Sequence, residues 1–512
     1  MSINLNKAYE GRIGTFRHQI IAGGIDISDM VISGRTSKSI ANACGSFSLM
    51  LRPLLKENRM VALPIGMHEY CEIRLDRNRN ESGGITSSSR PTIVMRGLVE
   101  TIEVQESVSQ GFSGAPTRMH TITGADLTKI IERKQLFVPP DLTEKAIAIY
   151  GQIFALFDKV NSVEKKDKDV ILPLSEWADV FITSVYKDEY IKIANLSGIQ
   201  NYSIKSNINL PMQSGRQKFR VLSTPIINSF TGSYWDLIEY YCKKPFIEMF
   251  MQDNEAESVI NVRWTPYKNG YGNYPLQSRS GNDPWISKAP DECHISLSNI
   301  IEKQVRLSET DRNTYFYCQL SGVVMGSEEA VTAIPDDVPQ GTAGVITNPY
   351  YDEGGIARFG FRPFIAEIPW MGYLQSSATE DREGAEIQEI LPDVNAWAVE
   401  TLSFTDALYS GYLTIPGNPL VKIGQYLTIE ETGEQYYIES VEHTWQVYPS
   451  PSYLTKIGVT RGVIPEKWKM KQSEFKDRSV WGNYNPDLGF LTTKTASGVE
   501  TLNKIKFETE NL

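Results

Sequence analysis

The chain has little cysteine and no long apolar run. Its five cysteines are odd in number and widely spaced, which does not fit a disulfide framework or a zinc site and is typical of a protein assembled in a reducing cytoplasm. No apolar run approaches the roughly 20 residues that a membrane helix needs. The N-terminal segment MSINLNKAYEGRIG lacks the apolar core of a secretion signal. We therefore expect no membrane insertion. The cysteines are Cys44, Cys71, Cys242, Cys293 and Cys318.

Basic residues are also outnumbered, and the formal net charge is -11. A nucleic-acid binder needs a basic face to neutralise phosphates, so this balance argues against that class. Two interpretations remain open. The charge keeps a large protein in solution, or it lines a conduit through which DNA slides without being held.

Residues that carry out catalysis or bind metals are scarce. None of the five histidines (His18, His68, His120, His294 and His443) forms a metal-binding pair with another histidine or a glutamate at helical spacing. Glu439 and His443 lie on one face of a predicted strand and Glu442 on the other, which fits a hydrogen-bonded or exposed histidine better than a metal ligand.

Signatures of known enzyme classes are missing as well. There is no Gly-x-Ser-x-Gly elbow, and neither Gly270–Tyr274 nor Glu353–Gly355 opens a phosphate-binding helix. The acidic pairs Asp352-Glu353 and Glu430-Glu431 would serve a glycosidase only if folding placed two carboxylates suitably. Tyr and Trp residues suit a sugar groove and an interface equally. We expect no catalytic, cofactor-binding or metal-binding residues, and no cofactor.

What the chain does have is strand patterning. With 512 residues, two to four domains are expected. Up to about residue 135, short β-rich runs alternate with Gly and Ser, and Gly97 indicates a bulge or bend. The polar stretch before Pro91 predicts an exposed hairpin loop. These pieces predict a strongly bent antiparallel sheet or barrel.

Helical spacing begins near residue 136. Apolar residues recur at that spacing from Ala146 to Phe157, with Thr143 as a candidate cap. They recur again at Trp177, Val180, Phe181 and Val185, with Ser175 as a candidate cap. These stripes predict core-facing helices rather than a cofactor site. The members of the first stripe are Ala146, Ile149, Tyr150, Ile153, Phe154 and Phe157.

A helix and a hairpin follow in the middle of the chain. The pattern predicts a helix over Tyr234–Lys243 capped by Ser233. It then predicts a hairpin in which FIEMFM turns at QDNEAES into VINVRW. The first strand should be half-buried, because one set of side chains alternates with another along it. The first set is Phe246, Glu248 and Phe250, and the second is Ile247, Met249 and Met251. Residues 268–290 are rich in Gly, Asn, Ser and Pro and predict a long surface loop.

Strands return from Ile295 to about Gly322 and, after an insert, from about 408. The clearest hairpin runs from Leu427 and Ile429 through Glu431-Thr432-Gly433 and back from Tyr436 to Trp445. From Pro465 the composition predicts an extended arm that anchors on a neighbour. We detect no internal repeat in the sequence, only two all-β regions that each carry a long excursion.

Four segments resemble the baseplate hub proteins of contractile-tailed phages, also called the late control protein family. The likeness covers residues 230–462 most clearly and depends on the order and spacing of the segments. They are YWDLIEYYCKKPFIEMFMQDNEAESVINVRWTPY, HISLSNIIEKQVRLSETDRNTYFYCQLSG, RFGFRPF at Arg358–Phe364, and GNPLVKIGQYLTI with the strands that follow it up to Thr460-Arg461-Gly462.

The resemblance implies an α+β, mainly β fold with two tail-tube-type antiparallel β-barrels and helical and mixed α/β insertions. Barrel I would span 1–135 and barrel II would be split over 291–325 and 408–464. A mixed peripheral domain would occupy 136–290, an insertion 326–407 and an extended arm 465–512.

The resemblance also implies a function, which is structural and not enzymatic. Three copies would form a pseudo-sixfold ring in the virion tail tip, joining the hexameric tail tube protein to the trimeric central spike protein. Tape-measure and baseplate wedge proteins would be further partners, and DNA would pass without specific binding. The loop near Gly83–Ser89 would contact the tube. The alternatives are a tail-associated enzyme that degrades cell wall or polysaccharide, and a carbohydrate-binding β-protein.

Overall fold

The fold, taken from a computed structural model, is mainly β with antiparallel sheets, which confirms the predicted fold class. The helices whose bounds the structure describes are short, with 5, 8 and 7 residues. The structure describes residues 2–4, 16–56, 59–61, 63–77, 90–107, 117–138, 171–173, 178–179, 182–183, 186, 202–210, 212–213, 216–217, 220–222, 230–268, 289–308, 312–320, 350–368, 394–395, 397–403, 405–465, 481–485, 490–495 and 498–501.

The first third is built of strands, as predicted. Its elements in chain order are β1 (Ser2–Asn4), β2 (Phe16–Ala22), β3 (Ile25–Asp26), β4 (Val31–Ser39), β5 (Ser46–Leu51), β6 (Leu54–Lys56), β7 (Arg59–Val61), β8 (Tyr70–Arg77), β9 (Thr92–Ser107), β10 (Thr117–Asp126), α1 (Lys129–Arg133) and β11 (Gln135–Val138). A 3-10 turn at Ser28–Met30 separates β3 from β4.

The middle block combines short strands with one capped helix. Its elements are β12 (Ile171–Pro173), β13 (Ser203–Asn209), β14 (Met212–Gln213), β15 (Arg216–Gln217), β16 (Arg220–Leu222), β17 (Phe230–Ser233), α2 (Tyr234–Tyr241), β18 (Ile247–Asp253) and β19 (Glu257–Trp264). Ser233 and Asp236 form a capping box at α2, which confirms the predicted start and cap of this helix.

The last part returns to strands. Its elements are β20 (Glu292–Ile295), β21 (Glu302–Arg306), β22 (Tyr315–Leu320), β23 (Tyr350–Asp352), α3 (Glu353–Phe359), β24 (Pro363–Ile368), β25 (Tyr409–Pro416), β26 (Tyr426–Ile429), β27 (Gln435–Gln446), β28 (Ser452–Val463), β29 (Trp481–Asn485), β30 (Phe490–Thr495) and β31 (Gly498–Thr501). A 3-10 turn at Leu297–Asn299 separates β20 from β21, and another lies at Thr405–Ala407.

One sheet of 14 strands contains two units of similar topology. The first unit has the neighbour order β4-β5-β10-β9-β8-β2-β3, and the second has β20-β26-β27-β28-β25-β21. In each unit the strands at the two ends of the path are joined only by a 3-10 turn, so each sheet curls back on itself. Its inward side chains form a core of its own.

Five strands of one unit repeat in the other, while the next position in the sheet differs, because β2 pairs antiparallel with β8 and β20 pairs parallel with β26. Strands β4, β5, β8, β9 and β10 correspond to β21, β25, β26, β27 and β28 both in chain order and in neighbour order. In each unit a register shift leaves one glutamate unpaired in a β-bulge. It is Glu100 in the β9–β10 pairing and Glu439 in the β27–β28 pairing. The backbone N–H groups of His68 and Gly424, both at positive φ, donate to Val99 and Ile438. The second unit is thus a structural repeat of the first.

This repeat corrects the sequence analysis, which detected none. Around the bulge, Val99-Glu100-Thr101-Ile102-Glu103 matches Ile438-Glu439-Ser440-Val441-Glu442 in residue type at every position. Five positions within a β-rich chain are too few to separate a repeat from ordinary strand composition.

A third core lies beside the two units. It gathers the apolar face of α2, the β18–β19 hairpin, and strands β22 and β24 of a second, six-stranded sheet. Ala178, Ile182 and Tyr186 join it at helical spacing. The predicted stripe at Ala146–Phe157 and the loops around Gly83–Ser89 and 269–288 lie outside the described residues. So do the four members of the second predicted stripe, which are Trp177, Val180, Phe181 and Val185.

Four local expectations need correction. The bulges of β9 lie at Val94 and Glu100, not at Gly97, where a Cβ would instead lie 2.1 Å from the Ala125 carbonyl oxygen. Strand β18 is buried on both faces, not half-buried. Strand β22 pairs with β24 and β23 rather than with the second unit, and β29 from the predicted arm pairs with β23 of its own chain.

Candidate functional site at the junction of the two units

The two units meet through direct strand pairing, which we call the joint. The first half of β27 pairs with β26, and beyond the bulge at Glu439 its second half, Ser440–Gln446, pairs antiparallel with Ser33–Ser39 of β4. Residues more than 400 positions apart in the chain therefore share one hydrogen-bonded ladder. The sheet of the second unit thus continues into the sheet of the first.

On the inward face of the joint, side chains of the second unit pack closely against the first unit. Trp445 lies opposite Gly34, is fully buried and belongs to the core of the first unit, together with Tyr453 of β28. A Cβ on Gly34 would lie 2.1 Å from Cζ2 of the Trp445 ring, so only glycine leaves room for the indole. Two aromatic side chains of the second unit thus complete the core of the first.

Next to this tryptophan lies a buried histidine. His443 Nδ1 lies 3.0 Å from the Thr455 hydroxyl and 3.1 Å from the Tyr453 hydroxyl. Burial, helped by the positive charge of Lys38, lowers the pKa of His443 to about 3. The ring is therefore neutral at physiological pH. This agrees with the expectation of a hydrogen-bonded histidine.

The outward face of the joint is polar. Arg35 Nη2 lies 2.7 Å from Glu442 Oε2, and both groups are partly exposed. Exposed ion pairs of this kind contribute about 0–1 kcal/mol, so this pair sets register more than stability.

A hairpin made of β18 and β19, here called the central hairpin, fastens the joint from behind. On the first unit, the Arg96 guanidinium is fully buried and donates to the carbonyls of Asn254, Glu255 and Glu257 at 2.6, 2.8 and 3.3 Å. Its Nε lies 3.3 Å from Glu72 Oε2. One arginine therefore holds the turn of the hairpin.

Lys38 of β4 ties the same hairpin to the joint itself. Its Nζ lies 2.7 Å from Asp253 Oδ2 and 3.8 Å from Asp126 Oδ2. Burial acts to lower the pKa of Lys38, but the charges of Asp253 and Asp126 outweigh it and raise that pKa. For Asp253, burial acts to raise the pKa, but Lys38 and Arg96 lower it. The buried pair is therefore ionised.

The other face of the central hairpin binds the second unit. Arg263 Nε lies 2.6 Å from Glu248 Oε1, and its Nη2 donates to the Gly424 carbonyl at 2.6 Å. The Tyr437 hydroxyl donates to the same Glu248 carboxylate at 2.6 Å. Gln252 Nε2 also donates to the Ile423 carbonyl at 2.8 Å. The hairpin is thus bonded to both units.

The cavity at the joint is small. The cleft at the joint, lined by Lys38, Asp253, Lys422 and His443 among others, offers about 30 Å³, room for water molecules. Ligand pockets typically measure about 300–1,000 Å³. In the part of the chain that the structure describes, no group of His, Cys, Asp or Glu is arranged to hold a metal ion.

The acidic pair Glu430-Glu431 has a local structural role. At the 3-10 turn before β21, Glu431 Oε2 accepts from the Leu297 backbone N–H at 2.7 Å, and Glu431 Oε1 accepts from the Ser296 hydroxyl. Those hydrogen bonds lower the pKa of Glu431. Asp352 ends β23 and Glu353 begins α3. The two carboxylates of each pair are neighbours in sequence, and the fold does not bring them together from distant segments.

The sequence did not reveal the buried ion pairs by which the central hairpin holds the joint. Glu248, Asp253 and Arg263 stand as charges in otherwise apolar strands, a signal that buried partners must exist. Their partners lie far away in sequence, so the pattern alone could not pair them. All five cysteines are free thiols. No described helix has the length and apolar character to cross a membrane.

Three solved structures are similar to this chain. A tail protein from Neisseria meningitidis MC58 is 10% identical, with 87% of this chain and 96% of that chain covered and a TM-score of 0.41. The 43 kDa tail protein of prophage MuSo2 from Shewanella oneidensis is 13% identical, with 88% and 99% covered and a TM-score of 0.43.

The third is an E. coli component of the type VI secretion system that exhibits structural similarity to the T4 bacteriophage tail proteins gp27 and gp5. It is 6% identical, with 87% of this chain and 76% of that chain covered and a TM-score of 0.36. No protein-family model matches the chain, and no curated protein sequence does.

Proposed function

We propose that this chain is a structural subunit of a phage tail tip, a baseplate hub protein and not an enzyme. Three copies form a ring of six β units that joins the hexameric tail tube to the trimeric central spike. The observation that carries this proposal is the internal duplication, with two equivalent units fused edge to edge in one chain.

The duplication solves a problem of symmetry. A tube with six equal subunits offers six binding positions, and a spike with three subunits offers three. A subunit with two similar units presents similar surfaces at six positions when three copies close a ring, while the differences between its units preserve threefold symmetry. The resemblance of residues 230–462 to hub proteins supports the same assignment.

The joint supplies the rigidity that such an adaptor needs. Shared strands, a shared core and buried ion pairs hold the two units at one angle. Buried ion pairs are weak sources of stability but strong constraints on geometry, because an unpaired buried charge is costly. A fixed angle between units allows a ring to close.

The remaining parts take peripheral places in this proposal. The first curled sheet, within 1–135, is a tube-type barrel, and β20, β21 and β25–β28 form the second. The middle block 136–290 and the insert 326–407 lie outside the ring and contact wedge proteins. The arm 465–512 adds its strands to the second sheet. The tape-measure protein lies on the tube side.

The net charge of -11 suits passage of DNA. An acidic or neutral wall repels phosphate, so DNA slides through the lumen without being held. The protein is assembled in the host cytoplasm and resides in the virion tail tip.

The test is the mass and symmetry of the purified chain, alone and with its spike partner. Analytical ultracentrifugation should give three times 57.7 kDa, and negative-stain images should show a ring with six lobes. A chain that stays monomeric with the spike protein present would overturn the proposal. Turnover of peptidoglycan or a capsular polysaccharide would favour the enzymatic alternative instead.

A further inference from the structure

Strand β9 has an unused edge where its equivalent makes the joint. The first part of β9 pairs with β8 through Leu98, and His68 and Glu69 bond to Val99. Beyond the bulge at Glu100, Thr101–Ser107 pairs with β10 on one side and has no strand on the other among the described residues. In the second unit that same side, at Ser440–Gln446 of β27, holds β4.

Strand β21 has the complementary unused edge. It pairs with β25 on one side, as its equivalent β4 pairs with β5, and the described part of the chain places no strand on its other side. In β4 that other side pairs with β27. One joint is therefore formed within the molecule. Among the described residues, the two strand edges equivalent to those of that joint, on β9 and β21, have no strand paired with them.

We propose that neighbouring subunits assemble by repeating the joint, with β21 of one copy pairing antiparallel with Thr101–Ser107 of β9 in the next. The occupant of each open edge is a second copy of this chain. The inference rests on the proposed function for the number of copies in the ring, while the pairing itself follows from the duplication.

The register of this second joint can be carried over from the first. The β9–β10 and β27–β28 pairings align Glu103 with Glu442. The β4–β5 and β21–β25 pairings, compared through the strands they share, align Ser37 with Arg306. Glu442 lies opposite Ser37 in the joint, so Glu103 should lie opposite Arg306 of the neighbouring copy.

This register follows from backbone pairing alone, and the side chains that it places opposite each other are complementary. On one face it places Ile102 against Leu307, Val104 against Val305 and Glu106 against Lys303. On the other face it places Glu103 against Arg306, Gln105 against Gln304 and Ser107 against Glu302. Two apolar pairs and two opposite-charge pairs result, and no like charges lie opposite each other.

The exposure of these residues fits an open interface. Val104 in β9 and Leu307, the residue directly after β21, are 44% and 43% exposed, which is high for large apolar side chains. An open edge of this kind invites pairing with another chain. Glu103 and Arg306 form no ion pair among the described residues. Glu106 and Lys303 already bind Arg118 and Glu434 of their own chain.

Charge reversal at the free pair tests the register. Arg306→Glu or Glu103→Arg alone places like charges opposite each other and should raise the concentration at which the ring dissociates about tenfold or more. The double variant Glu103→Arg with Arg306→Glu restores the pair and should recover assembly. Arg90→Glu, with the same change of charge on an exposed residue outside the joint, should assemble like the unchanged chain.

A cysteine pair gives an independent measurement. In the proposed register Val104 and Val305 of neighbouring copies are directly opposite, with Cβ atoms about 4.5–5.5 Å apart. Oxidation of Val104→Cys with Val305→Cys should therefore cross-link copies, whereas Val104→Cys with Gln304→Cys places the second thiol on the opposite face and should not. Denaturing gels count the linked copies.

The outcomes separate this inference from the proposed function. A threefold ring that neither charge reversal weakens and that the cysteine pair does not link would overturn the inference and leave the hub assignment standing. Cross-linked dimers or open filaments without a threefold ring would support the pairing and overturn the hub assignment.

Discussion

Single residues at the joint show how local chemistry serves a distant contact. Gly34 is needed because an indole ring from another unit occupies the space of its missing side chain. His443 is neutral because folding removes its ring from water and places Lys38 near it. Neither role is visible in the residue's own segment of sequence.

Protonation of His443 should weaken the fold in mild acid. The folded pKa of about 3 lies below the ordinary value of 6.5, so the unfolded chain binds the proton first. Stability is therefore complete above about pH 6.5 and falls as the pH drops toward 3, by up to about 1.4 kcal/mol per pH unit. The measurement is urea unfolding of the protein and of His443→Gln between pH 4.5 and 7.5.

The comparison with the variant isolates the histidine. Carboxylates such as Asp126, whose pKa is raised by burial, titrate in both proteins and cancel in the difference. Equal pH dependence in the two proteins would show that His443 does not carry the effect.

At the scale of elements, the central hairpin explains why strand β18 is buried on both faces. Glu248 lies between Phe246 and Phe250 on one face of the strand, which suggests that this face is exposed to solvent. Instead, Glu248 binds Arg263 and Tyr437. A charged residue in a strand pattern indicates solvent only when no buried partner exists, and only the tertiary fold supplies that partner.

Removing the arginine that holds this hairpin should be costly. Arg96→Met leaves the carbonyls of the turn without their buried donor and removes one of the buried donors to Glu72, and we expect a loss of about 3–5 kcal/mol. Chemical denaturation measures it. Arg35→Ala, which removes an exposed ion pair to Glu442, is the control and should cost about 1 kcal/mol or less. Similar losses of unfolding free energy in the two variants would contradict the role of Arg96 as the buried residue that holds the hairpin.

At the scale of the whole molecule, the two units should unfold together. Trp445 belongs to β27 of the second unit, yet its ring lies in the core of the first. Trp445→Ala should therefore destabilise both units, by about 3–5 kcal/mol, as a cavity opens at their shared boundary. Hydrogen exchange should show β9 and β28 losing protection at the same denaturant concentration.

Tyr448 provides the matched control for this experiment. It is an aromatic residue three positions further along the chain from Trp445 and is 71% exposed. Tyr448→Ala should leave the exchange of both units unchanged. Loss of protection confined to one unit in Trp445→Ala would mean that the units are independent domains.

The sequence by itself determined the local features. Alternating apolar residues predicted the strands, Ser233 predicted the start of α2, and Glu431-Thr432-Gly433 predicted the β26–β27 hairpin, because strand faces, caps and tight turns depend on residues close in the chain. It also indicated a mainly β fold and the lack of a catalytic signature.

Only the tertiary structure decided which strand edges meet. The pairing of β27 with β4, the buried partners of β18 and the repeat of five strands depend on segments far apart in the chain, as the Arg35–Glu442 contact across 407 positions illustrates. Backbone hydrogen bonds along a strand edge are the same for every sequence, so the choice of partner depends on core shape and buried charge. Those exist only after folding.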